Sequence, residues 1–475
     1  MAKNNLLKKF LEFALGSGIV LLLGFISSPI NTRLFSPEEF GKFSMFNLFT
    51  NILVTIILFG LDQSFVRYFY EEHVKNRPLL LRKTLNISLL ICLFTSIIIF
   101  FFHNQIFEIL FNEMSIQLLT LIIINNFLFL LYKYVILVIR MQQRGKVFSY
   151  LQITQKLSNI IITVLFFLFL KNDFIVLIYA SVISNFIIVC WGIVLEKKFW
   201  FKSRSEGAIK TSDKELFNYG FPLLFTFLIT WIFQAGDRIF IRHYSGLEEL
   251  GIYAAAFSIV ALISAVQGAF TTFWLPVAYE RYKDNPEDKK FFENVSKLVA
   301  FSMLLIAILL IISKDLIVVI LGEEFRSASY IMPFLVFMPV LYTVSETTVL
   351  GINFNKKSKF HFYIAILCAT INIISNICLV PIYGAVGAAI STAITYIVFF
   401  ALRTIISIKL YQNRYGLLKF GICIINVLVF AYTASFYNAY ILNILLGLFN
   451  LIVLFILYHE EVNKIFNLIR KKVFK

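Results

Sequence analysis

Residues 84–103 read TLNISLLICLFTSIIIFFFH, a stretch without a single Asp, Glu, Lys or Arg. A helix needs roughly 20 such residues to cross the apolar core of a bilayer. The stretch is typical of the whole chain, which is 59% hydrophobic and 15% charged, against about 45–50% apolar and about 25% charged residues in an ordinary soluble domain. The composition therefore excludes a soluble enzyme and predicts a polytopic membrane protein.

Similar apolar runs recur along all 475 residues. They are continuous, whereas outer-membrane strands give alternating segments of roughly ten residues. We therefore expect an all-α bundle with about fourteen spans. The predicted spans are 11–32, 40–61, 84–103, 116–139, 149–170, 174–195, 217–242, 250–275, 295–313, 327–351, 360–380, 384–408, 416–436 and 438–458.

The net charge of +16 is distributed in a way that indicates membrane orientation. Most Lys and Arg residues, with Arg403 among them, lie in the tails and in every second loop counted from the N-terminus. By the positive-inside rule these segments are cytoplasmic, so both termini are expected inside. The positive charge is then a topology signal, and we expect no nucleic-acid partner.

A short motif occurs twice. Residues 33–43 read RLFSPEEFGKF and residues 242–253 read RHYSGLEELGIY. Each has an Arg, then Glu-Glu, an apolar residue, a Gly, and an aromatic residue two positions later, and each opens the second helix of a half. Both cross in the same direction, which predicts two parallel repeats related by an axis along the membrane normal. The predicted domains are an N-terminal six-helix lobe (1–195), a cytoplasmic linker loop (196–216), a C-terminal six-helix lobe (217–408), and two additional helices with a basic cytoplasmic tail (409–475).

Polar residues inside the fifth span mark a first candidate site. Gln152, Lys156, Asn159 and Thr163 share one face of a helix, and Lys133 of the fourth span lies at similar depth. Two ammonium groups at matched depth are suited to an anionic headgroup. The alternative is that both lysines lie near the surface and extend to it.

A second candidate group lies at the outer end of the seventh span. Gln234, Arg238 and Arg242 form one stripe, and Arg33 has a related place in the first half. Guanidinium groups match phosphate oxygens bidentately, so these residues are candidates for binding substrate. The alternatives are headgroup anchoring and an internal pair between Asp237 and one of the two neighbouring arginines.

Asp237 and Glu346 are the candidate ion-coupling residues. Glu346 lies in a span that Pro333 and Pro339 interrupt. A buried carboxylate can take up H⁺ or Na⁺ during transport. The alternative is that Glu346 pairs with a lysine or lies near the inner interface. Asn372 and Asn376 suit either sugar hydroxyls or helix–helix hydrogen bonds.

Motifs that bind ATP phosphates or zinc do not occur in the sequence. The five cysteines lie in apolar runs without a C-x-x-C spacing. No Ser/His/Asp arrangement stands out among five histidines. We therefore expect no enzymatic activity, no catalytic residue, no cofactor and no bound metal.

Four segments carry a family resemblance: 33–41, 236–241 (GDRIFI), 251–258 (GIYAAAFS) and 380–389 (VPIYGAVGAA). They resemble bacterial Wzx-type flippases for O-antigen or capsule repeat units, in the multidrug/oligosaccharidyl-lipid/polysaccharide exporter (MOP) superfamily. The resemblance implies two six-helix lobes around a central cavity and two added C-terminal helices.

It also implies transport in the bacterial plasma (inner) membrane. The substrate would be an undecaprenyl-diphosphate-linked oligosaccharide, moved to the outer leaflet by alternating access for capsule, O-antigen or exopolysaccharide synthesis. A polysaccharide polymerase and glycosyltransferases of the pathway would be partners. The alternatives are a cation-coupled multidrug antiporter of the same superfamily, a peptidoglycan precursor flippase, and a membrane scaffold without transport activity.

Overall fold

The computed structural model describes residues 2–113, 115–170, 173–201 and 209–463. Side chains are described from Gly16 onwards, except those of Thr230, Phe233 and Gln234. Within these ranges the regular secondary structure is helical. The chain forms two compact units, Met1–Ala235 (the N-terminal unit) and Gly236–Lys475 (the C-terminal unit).

The described residues of the N-terminal unit form eight helices and most of a ninth, which continues into the C-terminal unit. They are α1 (Ala2–Leu34), α2 (Pro37–Leu58), α3 (Leu61–Tyr68), α4 (Arg77–Phe111), α5 (Ile116–Met141), α6 (Gly145–Phe169), α7 (Phe174–Leu195), α8 (Lys197–Phe201) and α9 (Asp213–Tyr244). In this unit α6 packs against both α1 and α7, and α5 also packs against α7.

The remaining helices belong to the C-terminal unit. They are α10 (Gly246–Asp284), α11 (Lys289–Ile312), α12 (Lys314–Val318), a 3₁₀ turn (Glu323–Phe325), α13 (Ala328–Leu335), α14 (Phe337–Thr348), α15 (Leu350–Phe354), α16 (Lys359–Leu410), α17 (Leu417–Phe436) and α18 (Tyr440–Leu457). The 52 residues of α16 form two segments that meet at Gly384. In this unit α14 packs against both α11 and α16.

The predicted all-α membrane fold is confirmed. Among the described residues, twelve helices have the length and composition of membrane spans. One of the twelve is α16, whose two segments coincide with two predicted spans, and the 32-residue α9 coincides with another. Each of the fourteen predicted apolar runs therefore coincides largely with helix, and the run 327–351 is divided among α13, α14 and α15.

Local sequence explains where several helices begin. The Ser36 hydroxyl accepts a hydrogen bond from Glu39 N at 3.4 Å, and Pro37 fills the first helical position of α2. Both are favoured choices at a helix N-terminus. At α7 the Asp173 carboxylate accepts from Ile175 N at 3.1 Å. Phe101 and Phe169, by contrast, leave 71% and 82% of their surface exposed, as lipid-facing side chains do.

Candidate functional site

The second glutamate of each repeated motif makes the same kind of contact in its own unit. Glu39 Oε2 accepts from Phe174 N at 2.6 Å, at the start of α7. Glu249 Oε2 accepts from Ala385 N at 2.7 Å, at the start of the second segment of α16. A carboxylate at a helix N-terminus satisfies an unpaired N–H group and interacts favourably with the helix dipole. The two motifs therefore fix equivalent helix ends.

The surroundings of these two glutamates differ. In the N-terminal unit the buried Lys42 ammonium lies 2.9 Å from Glu39 and 3.6 Å from Glu38, and it also pairs with Glu113. Burial, together with the neighbouring Glu39 and Glu113, raises the pKa of the Asp173 carboxyl. The start of α7, in the N-terminal unit, thus lies in a network of several charges.

In the C-terminal unit, the equivalent glutamate, Glu249, lies close to a glycine, Gly384. Gly384 has φ 55° and ψ −135°, a conformation open to glycine and strained for other residues. A Cβ atom at this position would lie 2.6 Å from Glu249 Oε2. Gly384 is therefore needed both for the kink in α16 and for the approach of Glu249.

The predicted polar face of α6 lies in the N-terminal unit. Gln152, Lys156 and Asn159 are half-buried on this helix, and Thr163 is buried one turn further on. α6 packs against α1, where Gly24 leaves room beside Lys156: a Cβ at Gly24 would lie 4.0 Å from Lys156 Cε. No carboxylate in the described part of the chain forms an ion pair with Lys156.

Lys133 of the neighbouring α5 is exposed, with its Nζ atom 4.9 Å from the centre of the Phe129 ring. Asp62 is near enough for its charge to act on Lys133, but in the described ranges no carboxylate lies within ion-pair distance of this ammonium. Lys133 and Lys156 thus carry positive charges inside apolar helices that lack a paired carboxylate. A charge in this setting is costly unless water or a ligand compensates it.

The arginines of the second candidate group have separate surroundings. Arg33 is exposed near the end of α1. Arg238 is half-buried, with its guanidinium 5.2 Å from the Phe257 ring centre, and Arg242 is half-buried one turn further along α9. The side chain of Gln234 lies outside the described residues.

Asp237 is the centre of a buried hydrogen-bond cluster in the C-terminal unit. Its Oδ1 atom accepts from the Nδ2 atoms of Asn372 at 3.0 Å and Asn376 at 2.8 Å. Its Oδ2 atom accepts from the Tyr253 hydroxyl at 2.9 Å and from the Thr392 hydroxyl. No ion pair with Asp237 occurs among the described residues, so the carboxylate is held by four neutral donors.

Glu346, in contrast, has a cationic partner. Its Oε1 atom lies 2.8 Å from Arg403 Nη1, and both side chains are buried. The Arg403 guanidinium also donates to Ser345 Oγ at 2.6 Å and stacks 4.8 Å from the Phe399 ring centre. The interpretation of Arg403 as an inner-loop residue is wrong, because it lies within α16 and pairs with the intramembrane carboxylate.

Sequence reasoning also missed Tyr253 and Thr392 as members of the Asp237 cluster. Tyr253 was visible as the aromatic residue that ends the second repeat motif. Thr392 carried no signal, because a threonine in an apolar helix commonly bonds to its own backbone. The i, i+4 spacing of Asn372 and Asn376 did predict a common face, and the structure brings both to Asp237.

The helices and the buried polar side chains define a polytopic all-α membrane protein, and solved structures share its fold. The structure titled lipid II flippase MurJ, in an inward closed conformation, matches with a TM-score of 0.72 and 18% identity, covering 95% of this chain and 99% of that one. An inward-facing multidrug resistance MATE family transporter of the MOP superfamily matches with a TM-score of 0.61 and 13% identity, covering 82% and 93%.

Residues 6–280, more than half of the chain, match the family described as polysaccharide biosynthesis protein. This chain belongs to that family, and it shares its fold with the two solved structures above.

Two curated proteins are similar along the sequence. A membrane protein of Haemophilus influenzae described as uncharacterized is 24% identical over 83% of this chain and 92% of its own. The probable low-salt glycan biosynthesis flippase Agl15 of Haloferax volcanii is 22% identical over 63% of each.

Proposed function

We propose that this protein flips undecaprenyl-diphosphate-linked oligosaccharide repeat units from the cytoplasmic to the outer leaflet of the plasma membrane, by alternating access, for surface polysaccharide synthesis. Lys133 and Lys156 carry the proposal, since they are cations within spanning helices that form no ion pair with a described carboxylate. A diphosphate supplies the missing negative charge. Membership of the polysaccharide biosynthesis family and the name of the Haloferax volcanii relative support it.

The polar neighbours of Lys156 extend this assignment to the sugars. Gln152 and Asn159 lie on the same face of α6, and amide groups both donate to and accept from hydroxyls. Arg33, Arg238 and Arg242 are proposed as further substrate contacts, because guanidinium groups bind phosphate oxygens. The lipid tail needs no polar contact, and it stays in the bilayer.

The first test is a gene deletion complemented by variants. We expect the deletion strain to accumulate the complete lipid-linked oligosaccharide and to lose surface polysaccharide, and wild-type protein to restore both. The double variant Lys133→Gln/Lys156→Gln should fail to restore them at equal membrane abundance. Lys146→Gln, an exposed lysine at the start of α6, is the matched control and should restore them fully.

Three outcomes would contradict this proposal. Full complementation by the double variant would remove the two lysines from substrate binding. Accumulation of the peptidoglycan precursor, with normal polysaccharide, would identify the other lipid-linked flippase function. Normal levels of both lipids would instead favour a multidrug antiporter.

We propose further that H⁺ or Na⁺ binding at Asp237 couples transport to an ion gradient. The carboxylate forms no ion pair with a described residue, and the buried Asn376 Oδ1 atom nearby accepts no hydrogen bond from one. Oxygen atoms of this kind suit a hard cation. In proteoliposomes, Asp237→Asn should abolish stimulation by an imposed gradient, and equal stimulation of variant and wild type would contradict this role.

Glu346 remains a second coupling residue to be tested. Its ion pair with Arg403 must open before the carboxylate can exchange an ion. Glu346→Gln in the same assay separates the two positions. Gradient stimulation that persists in Glu346→Gln and disappears in Asp237→Asn would assign coupling to Asp237 alone.

A further inference from the structure

A cavity of about 380 Å³ opens within the C-terminal unit, between α10, α13, the kink of α16 and the end of α17. Its lining includes Glu249, Tyr330, Tyr383, Ser435, Phe436 and Asn438. By the predicted orientation, the kink of α16 and the connection from α17 to α18 face outwards. The cavity, here called the outer pocket, therefore lies on the side to which the proposed substrate is delivered.

One buried polar atom in the outer pocket lacks a partner. Ser435 is 6% exposed, and its Oγ atom forms no hydrogen bond with any described residue. A buried hydroxyl without a partner is unfavourable by roughly 1–3 kcal/mol in general. Asn438, three residues further on, is exposed and lines the same cavity, so its amide supplies the accessible hydrogen-bonding group at this end of α17.

Aromatic rings form another wall of the outer pocket. The Tyr383 and Phe436 rings lie edge to face with centres 5.4 Å apart, and they leave 45% and 37% of their surface exposed. The ring of Tyr330 is held by the Lys314 ammonium, 5.0 Å from its centre. Such rings offer flat apolar surface beside hydroxyl groups, a combination that suits the C–H faces and hydroxyls of a sugar.

The charge of the outer pocket selects against phosphate. Of the described residues that line it, none is Lys, Arg or His, and Glu249 contributes a carboxylate. Glu249 Oε2 already accepts from Ala385 N, while Oε1 accepts no bond from the described part of the chain. The nearby Lys314 ammonium is buried and paired with Asp315 at 2.8 Å. An anion would be repelled here, whereas Glu249 Oε1 can accept hydrogen bonds from hydroxyls.

We propose that the outer pocket binds an uncharged saccharide unit through the Tyr383 and Phe436 rings, the Asn438 amide and Glu249 Oε1. The proposal rests on the proposed function for the source of the saccharide, which is the glycan part of the translocated lipid. The diphosphate and the sugar of the substrate are then bound at different places. The cations Lys133 and Lys156 bind the diphosphate, and the outer pocket binds sugar.

The test is saccharide binding to the purified full-length protein in lipid nanodiscs, since maltoside detergents would compete. The probes are N,N′-diacetylchitobiose and maltose, which lack both lipid and phosphate, and binding is followed by saturation-transfer difference NMR. We expect at least one probe to bind wild type. Tyr383→Leu and Asn438→Ala should each weaken that binding at least tenfold.

Tyr432→Leu is the matched control. Tyr432 is an exposed tyrosine of α17 that contacts Phe436 but does not line the outer pocket, so this variant should bind as wild type does. Equal thermal midpoints of all the variants would show that they are folded. Asn438 lies in the connection after α17, so its variant keeps the test valid if Tyr383→Leu fails to fold.

Three results would overturn the outer pocket: no binding of either probe to wild type, equal weakening by Tyr383→Leu and Tyr432→Leu, or displacement of the saccharide by inorganic pyrophosphate. Flipping of the lipid-linked substrate is measured separately in proteoliposomes. Flipping without saccharide binding would reject the outer pocket alone. Saccharide binding without flipping would reject the proposed function and keep the outer pocket.

Discussion

The two units differ in whether their intramembrane charges have partners within the protein. In the N-terminal unit, Lys133 is exposed and Lys156 half-buried, and neither has an ion pair within the described ranges. In the C-terminal unit, Asp237 accepts hydrogen bonds from four side chains, and Glu346 pairs with Arg403. Charges that the protein leaves without a partner are available to a ligand, whereas charges that it satisfies maintain the structure or exchange a small ion.

The largest expected effect is on the stability of the C-terminal unit. Arg403→Met leaves Glu346 buried without its countercharge, and breaking a buried pair in this way costs about 3–5 kcal/mol. We expect a free energy of unfolding lower by that amount, measured by denaturant titration in micelles. The double variant Arg403→Met/Glu346→Gln removes both charges and should recover part of the loss. A single variant as stable as wild type would show that the ion pair does not stabilise this unit.

The second effect concerns the kink of α16. Gly384→Ala places a side chain at positive φ, which costs on the order of 1–3 kcal/mol, and its Cβ meets Glu249 Oε2. We expect a loss of stability in this range, read from the same titration. Gly268→Ala is the matched control, since a Cβ at this position of α10 meets no atom within 4 Å. If the two variants behaved alike, the strained conformation at Gly384 would not matter.

A third test compares the two helix-capping glutamates directly. Glu249→Ala removes the carboxylate that accepts from Ala385 N and should cost about 1–2 kcal/mol, as the loss of a capping group does. Glu39→Ala should cost less, because Asp173 still caps α7 and loses a repulsive neighbour. Thermal midpoints of the two variants in the same micelles make the comparison, and a larger loss for Glu39→Ala would reverse this ranking.

The helices could be predicted from the sequence because each apolar run is as long as the bilayer is thick. The repeated Glu-Glu motif was also visible, and its second glutamate does make the same contact in both units. The partners of the buried charges were not visible. Arg403 is near the end of an apolar run, where a basic residue usually marks the interface, and only the packing of α14 on α16 reveals its contact with Glu346.

The smallest expected effect on stability is that of the two lysines proposed to bind substrate. Lys133→Gln and Lys156→Gln remove charges that lack an ion pair in the described structure, so neither should lower the free energy of unfolding by more than about 0.5 kcal/mol. Transport should nevertheless fall at least tenfold in the double variant, measured in proteoliposomes. The Arg403 variant, in contrast, should show a large loss of stability. If the lysine variants lost stability and transport in proportion, the contrast between the two units would fail, and both lysines would be structural.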